Sequence, residues 1–488
     1  MPANYEEKET MPLKDIREFI EVLEANQELQ TIDQEVDWNL EIGAITRRCC
    51  ELSGPAPLFT RIKDYPGKRI LGNPLAKSSR VALAFEMDAD TRPADIIKEF
   101  MRRREEPVKP VLVSDGPCKE VKHVGSGVNM LDLPVPFVHQ GDGGRYLGTW
   151  SFVVNKDPDS GWVNWGMYRQ MVHDETTLGG PLIPGQHGPS IYYQKYQARN
   201  KPMEFATVIG PDPVSALVSA SPVGFGVNEV DIAGALRKEP VELVKCETVD
   251  LYVPAHAEII IEGIVMPNER KEEGPFGEGT GYSAGGRVPA PVYHVQAVTH
   301  RKDPIFTMSN MGTPVHDWDI VAAVGFSADY TRELKQKGFP IRDVAYVIPQ
   351  CSANLVVVST ETPYYGIAKR IASTIWSTIG GIVTPWVIVC NDDVDPTNLN
   401  QVMHAVVTKC HPVKGITVTP NVPGHAYLPY LDPHERLYKQ GHWCLFDCTW
   451  PIDWPREHIP PRSSFDDIYP EEIKAKVLAN WSKYGFIK

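Results

Sequence analysis

Two acids, Glu273 and Glu278, bracket Gly274-Pro275-Phe276-Gly277 within the run from Lys271 to Gly279. Pro275 and Gly277 forbid a regular helix, so the segment must turn back on itself and can aim both carboxylates at one point. Two carboxylates held close together cannot both ionise cheaply. One keeps its proton near neutrality unless a cation intervenes. Upstream, Trp162-Val163-Asn164-Trp165-Gly166-Met167-Tyr168-Arg169 ends in such a cation on a β-like segment. On spacing alone, an acidic surface turn is the simpler reading of these residues.

The elements that would position them are legible in part. Leu13, Ile16, Phe19, Ile20 and Leu23 recur at three- and four-residue spacing after Pro12 and predict an opening helix. A strand-like Leu29–Ile32 follows, then helical patterns near Leu40–Cys50 and after Pro93, where Ile96, Ile97, Phe100 and Met101 recur. Short apolar runs such as Val81–Phe85 lie between them, so this part reads as a small α/β domain. Glu105–Pro110, with prolines at 107 and 110, reads as a linker. Beyond it the chain turns β-rich, in Phe205–Ile209, His256–Val265 and Pro291–His300, the last alternating with a period of two. This texture predicts an antiparallel barrel or sandwich with helical insertions. Past residue 320 strands (Ala353–Ser359, Trp386–Cys390) again mix with a helix through Ile367, Ile371 and Ile375. A closing helix from Pro470 is expected to bury Ile473, Val477 and Trp481 and to stop at Gly485, docked on its own chain or on a partner subunit.

Composition narrows the function. A length of 488 residues exceeds one hydrophobic core, so two or three domains are expected. Lys plus Arg number 49 against 62 acids, a net charge of -13, which argues against a nucleic-acid or anionic-membrane binder. The densest basic cluster, Arg102–Arg104, is followed at once by Glu105 and Glu106. No apolar stretch approaches the ~20 residues needed to cross a bilayer. Glu6, Glu7 and Glu9 stand where a secretory signal would be apolar, so a soluble cytoplasmic chain is expected. Nine thinly spread cysteines without a Cys-x-x-Cys pair read as reduced thiols. Phosphate-loop, His-Glu-x-x-His and Gly-x-Ser-x-Gly signatures are absent from the sequence.

The order Asn164-Trp165-x-x-x-Arg169, Gln186-His187, Glu229, then Glu273-Gly-Pro-Phe-Gly-Glu278 resembles the UbiD family of prenylated-FMN-dependent decarboxylases. Asp142-Gly143-Gly144-Arg145-Tyr146, Asp157–Gly161, Val244–Thr248 and Asn391–Asp395 follow the family order as well, so the match covers nearly the whole chain. The resemblance implies an α+β fold: an N-terminal α/β domain at residues 1–108, a split β-barrel flavin-binding domain at 109–318, and a C-terminal α/β and oligomerisation domain at 319–488 ending in the terminal helix. It implies reversible, non-oxidative decarboxylation of an aromatic, heteroaromatic or α,β-unsaturated acid through a covalent adduct with prenylated FMN. Loss of carbon dioxide from such a carbon leaves an electron pair that no side chain can accept, so a cofactor is needed.

By the same resemblance Arg169, Glu273 and Glu278 form a Glu-Arg-Glu triad. Glu278 donates the proton, and Arg169 with Glu273 positions it and tunes its pKa. Asn164, His187 and Glu229 resemble ligands of a divalent ion, usually manganese, that bridges to the flavin phosphate; an amide, an imidazole and a carboxylate suit such an ion better than zinc. Trp165, Gly166, Met167, Tyr168, Arg169 and Gln186 complete the implied cofactor-binding set. A potassium ion would be held by carbonyls of Trp165, Val218, Ser219 and Ser221, with Glu229 shared. His316 and His425 would line the substrate pocket, and Thr384-Pro385 stands where some members carry a lysine. The partners implied are a small-molecule carboxylic acid, further copies of this chain (dimer or hexamer) and a separate flavin prenyltransferase, with no nucleic acid and no membrane. The alternative is a flavin reductase-like, FMN-dependent oxidoreductase on the same barrel; hydride transfer needs no Glu-Arg-Glu set.

Overall fold

The computed structural model describes residues 12–283, 285–346 and 354–486. Glu6, Glu7, Glu9 and Ala353 lie outside the described residues. The opening helix runs Ile16–Ala25 because Asp15 caps it, accepting from the Arg17 and Glu18 N–H groups at 2.9 and 3.0 Å, while Ile16, Phe19 and Leu23 face the core. Helices Glu41–Glu51 and Pro93–Arg103 follow their apolar spacing, the latter started by a proline at its first turn. The run Val81–Phe85 belongs to a helix, Ser78–Ala84, with Phe85 as its cap, and is not a strand. A short apolar run buried on every side carries no period by which strand and helix can be told apart.

The first sheet holds Leu29–Ile32, Ala56–Phe59, Arg69–Gly72 and Ile305–Met308, the last pairing parallel with Arg69–Gly72. Its fourth strand therefore arrives from more than 230 residues downstream and ties the N-terminal part to the end of the central sheet. That central sheet has eight strands, all antiparallel. Its order is Val163–Gly166, Ser151–Lys156, Met203–Ile209, Ile259–Glu273, Val288–His300, Thr177–Gly179 and Met171–Val172, with Val121–Val124 also on Val288–His300. The two longest strands end with Glu273 opposite Val288, so the acidic turn hangs from the last rung of their ladder. Helices Pro213–Ser219 and Glu229–Arg237 pack at one side of this layer.

A mixed five-stranded sheet forms the C-terminal part, ordered Ile341–Tyr346, Leu355–Thr360, Trp386–Asn391, Gln440–Cys448, Ile416–Pro423. Helix Asp317–Gln336 joins it to the rest. The closing helix departs from expectation. It spans Glu471–Ala479 and a short turn carries the chain on to Gly485. Ile473 and, beyond the helix, Trp481 are 43% and 40% exposed and Val477 is half-buried, so none of the three has the expected burial against its own chain.

Candidate active site

The ladder that places Glu273 opposite Val288 also sinks it out of solvent, at 0% exposure. A carboxylate buried this deeply needs partners that satisfy both oxygens. Arg169, three residues past the strand Val163–Gly166, supplies them. Its Nε donates to Glu273 Oε1 at 2.9 Å and its Nη2 to Oε2 at 3.0 Å, and Nη1 donates to Glu278 Oε1. The guanidinium lies between two rings, 5.0 Å from the Phe276 centroid and 5.7 Å from that of Tyr427. Burial pushes the Glu278 carboxyl up, with Arg169 opposing and the charges of Glu273 and Asp142 adding to the rise. The acidic turn is thus no surface loop. It presents one carboxylate held by both arms of the Arg169 fork and a second whose pKa burial raises.

A second cluster starts on the strand Val163–Gly166 itself. Asn164 and Trp165 are buried at 1% and 2%, and the Trp165 N–H donates to Glu229 Oε2 at 3.0 Å. Glu229 opens the helix Glu229–Arg237, where the helix dipole favours its negative charge. His187 Nδ1 lies 3.9 Å from Glu229 Oε1, and its Nε2 is buried without a hydrogen-bond partner. The rings of Trp162 and Phe225 meet the His187 ring edge-on at 5.1 and 5.6 Å. Chain packing here is tight: a Cβ on Gly188 would fall 2.7 Å from the Tyr168 hydroxyl, which accepts the Gly188 N–H at 3.0 Å. Burial pushes the Tyr168 hydroxyl up to about 12.

A cavity of about 1100 Å³ joins these parts, slightly above the roughly 300–1,000 Å³ typical of small-molecule sites. Asn164, Trp165, Gly166, Met167, Tyr168, Gln186, His187, Glu229, Ser219, Ser221 and His425 line it, opposite C-terminal residues that include Tyr427. Tyr427 also covers Arg169, so the Glu-Arg-Glu cluster lies next to a lining residue, although Arg169, Glu273 and Glu278 are not themselves among the lining residues. Val218 does not line the cavity, and its carbonyl accepts the Ser221 N–H at 3.0 Å. Among the described residues no group of three or more His, Cys, Asp or Glu could hold a metal ion; the set here has two such residues and an amide. The donor set nevertheless suits a borderline or hard ion, and the orphaned buried Nε2 of His187 is the kind of atom such an ion would satisfy.

The two candidate pocket histidines separate. His425 lies in the cavity wall, its Nδ1 buried without a partner, and burial lowers it to about 4, so it is a neutral imidazole. His316 is not among the lining residues. It is fully buried just before the helix Asp317–Gln336, where its backbone N–H donates to Asp319 Oδ2 at 3.0 Å and its Nε2 faces the Gly279 carbonyl at 3.3 Å. It braces the acidic turn from behind. Thr384 has a structural role, since its hydroxyl meets those of Tyr330 and Tyr346 at 2.7 and 3.1 Å.

Several residues of this site escaped the reading of individual motifs. Tyr146 donates to Glu273 Oε1 at 2.8 Å, and the Gly143 N–H donates to the Pro275 carbonyl at 2.7 Å. Asp142 Oδ1 accepts the Gly277 N–H at 2.9 Å. The segment Asp142–Tyr146 is therefore the platform on which the acidic turn rests. Its acid and glycines beside an aromatic were the available signal.

The family models for the 3-octaprenyl-4-hydroxybenzoate carboxy-lyase match residues 20–100 (N-terminal domain), 109–314 (Rift-related domain) and 320–448 (C-terminal domain). The pyrrole-2-carboxylic acid decarboxylase of Pseudomonas aeruginosa is 34% identical, covering 97% of this chain and 98% of that protein. The closed form of the vanillic acid decarboxylase of Sedimentibacter hydroxybenzoicus superposes with a TM-score of 0.87 at 32% identity, over 97% of this chain and 100% of that one. An evolved dimeric form of a UbiD-class enzyme from Pelotomaculum thermopropionicum, in complex with prenylated FMN, superposes at 0.79 and 29% identity, over 92% and 97%. Matched in order through three domain models, this chain belongs to the UbiD family of prenylated-FMN-dependent decarboxylases.

Proposed function

We propose that the chain decarboxylates an aromatic, heteroaromatic or α,β-unsaturated carboxylic acid, reversibly and without net oxidation. The observation that carries this reading is the Arg169 guanidinium, bidentate on buried Glu273, bonded to Glu278 and stacked on Tyr427, which lines a large cavity. Prenylated FMN, when bound, supplies the electron sink that the departing carboxylate requires. Asn164, His187 and Glu229 would hold a divalent ion such as Mn2+ beside the cofactor phosphate, and carbonyls of Trp165, Val218, Ser219 and Ser221, with Glu229, a potassium ion. The cofactor would lie along Asn164–Arg169, Gln186 and His187.

The protein's own steps are protonic and electrostatic. Arg169 steers the substrate carboxylate and holds Glu273 in place through its fork. Glu278, whose burial favours its neutral form, returns a proton to the carbon that lost carbon dioxide. His425, neutral and unpaired in an otherwise largely apolar wall, meets a polar substituent on the acid. We also assign the chain to the cytoplasm, as a homo-oligomer loaded by a separate flavin prenyltransferase. Exposed Ile473, Leu478 and Trp481 on the terminal arm support contact with a second copy. The deciding experiment is mass spectrometry of the released cofactor, followed by a screen of aromatic acids for carbon dioxide release. Recovery of unmodified FMN from fully active enzyme would overturn the reading.

A further inference from the structure

Beside the acidic turn, His139 and Asp142 of one segment meet Asn310 from a distant one. His139 Nδ1 lies 3.2 Å from Asp142 Oδ2, and its Nε2 lies 2.9 Å from Asn310 Oδ1. The orientation of the Asn310 amide is set by its own nitrogen, which donates to the Gly43 carbonyl at 2.6 Å, while the Asn310 N–H donates to Asn73 Oδ1 at 2.7 Å. Both ring nitrogens of His139 therefore face acceptors. Only the imidazolium, with two N–H groups, satisfies both.

The other oxygen of Asp142 accepts the Gly277 N–H at 2.9 Å, one residue before Glu278. The His139 ring also packs so closely on Gly277 that a Cβ there would fall 2.5 Å from Nδ1, and it meets the Phe276 ring edge-on at 6.4 Å. The contact leaves no room for a side chain at position 277. The chain Asn310–His139–Asp142–Gly277 thus ties helix Glu41–Glu51, through Gly43, to the residue beside Glu278.

We propose that His139, held as a cation between Asp142 and Asn310, is a positioning residue for the acid-bearing turn, so that turnover falls when His139 loses its proton. The inference rests on Glu278 as the proton donor. Asp142, on the histidine's own segment, is the charge in contact with it. Asn310 and the Met311 backbone face it from the segment after Ile305–Met308, and Gly277 and Phe276 from the acidic turn. Arg47, whose Nη1 donates to the Asn310 carbonyl at 3.4 Å, and buried His316 are the next titratable groups. Burial disfavours the charged ring, but the hydrogen bond and charge of Asp142 outweigh it, leaving His139 raised above the ordinary histidine value. Deprotonation would set a bare ring nitrogen against Asp142 or Asn310, release the brace on Gly277 and let the Glu278 carboxyl swing. Misplacement of an acid by about 1 Å can cost on the order of a hundredfold in rate.

The test titrates each histidine of the holoenzyme by deuterium exchange at its ring C2 position, read by peptide mass spectrometry, alongside pH–rate profiles. His139 is expected to titrate above the ordinary histidine range, and Asp142→Asn to bring it down. His139→Gln, which cannot carry the charge, is expected to keep its flavin, lose roughly tenfold or more in kcat with little change in KM, and lose the alkaline inflection that follows His139. The proposal is overturned if His139 titrates at or below the ordinary range, if Asp142→Asn leaves it unmoved, or if His139→Gln has the parent's rate and pH profile. The titration needs no turnover, so it stands even if His139→Gln folds poorly. Near-normal activity in Glu278→Gln would instead refute the assignment of the acid, leaving the histidine titration as an independent measurement.

Discussion

Arg169 grips Glu273 with two parallel hydrogen bonds, of 2.9 and 3.0 Å, but reaches Glu278 with only one nitrogen. The two acids are therefore unequal partners. Glu273, also bonded by the Tyr146 hydroxyl, has both oxygens engaged. Glu278 shares less of the cation, and its burial favours the proton.

Glu278→Gln keeps size and a hydrogen-bond donor but has no transferable proton. It is expected to bind cofactor and lose ~10²-fold or more in turnover. In the parent enzyme the rate is expected to fall as pH rises through the raised pKa of Glu278, because the acid form is then lost. Product made in deuterated water should carry deuterium at the carbon that lost its carboxylate. Steady-state assays and mass spectrometry of the product check both.

Arg169→Lys keeps the charge without the fork. Lysine cannot satisfy both oxygens of Glu273 in parallel and reach Glu278 as well. The flavin is expected to remain and most turnover to disappear. With less stabilisation of the carboxylates their apparent pKa values rise, so the acid limb of the residual pH–rate profile moves upward. A variant nearly silent in both rate and profile would exclude Arg169 from the reaction.

His187→Ala removes the imidazole whose Nε2 is buried and unpaired beside Glu229. Flavin and divalent metal are expected to be lost together while the circular dichroism spectrum persists. Metal analysis and flavin absorbance of the purified variant decide; stoichiometric flavin would count against the metal site.

Asp317 opens the helix Asp317–Gln336 fully buried, its Oδ1 accepting the Leu75 N–H at 2.5 Å, and burial raises it to about 6. A carboxyl raised in the folded state stabilises fully below its unfolded pKa, near 4, and that contribution is lost as pH rises through about 6. The change is on the order of 2–3 kcal/mol. The melting temperature of the parent protein should therefore fall between pH 4 and pH 7 from this group, and Asp317→Asn should flatten the slope. Asp319, raised for the same reason, leaves a remainder. An unchanged slope in thermal unfolding across that range would refute the assignment.

The residue types and order of the site were legible without a structure because they are local. Glu273-Gly-Pro-Phe-Gly-Glu278 cannot be helical, Arg169 follows a β-like segment, and helix Ile16–Ala25 announces itself by period and cap. Packing decided the rest. The run Val81–Phe85 lies in a helix, and burial on all sides erases the periodicity that would have told it from a strand. Ile305–Met308 completes a sheet begun near residue 29, a pairing with no local signal. His316 and His425 look alike in sequence, yet one is walled in behind the turn and the other faces the cavity. Tyr146 meets Glu273 across 127 positions, and His139 meets Asn310 across 171. Local order determined which residues this site contains. Which of them touch was settled only when distant strands closed on one another, because hydrogen bonds between remote segments depend on how whole layers pack.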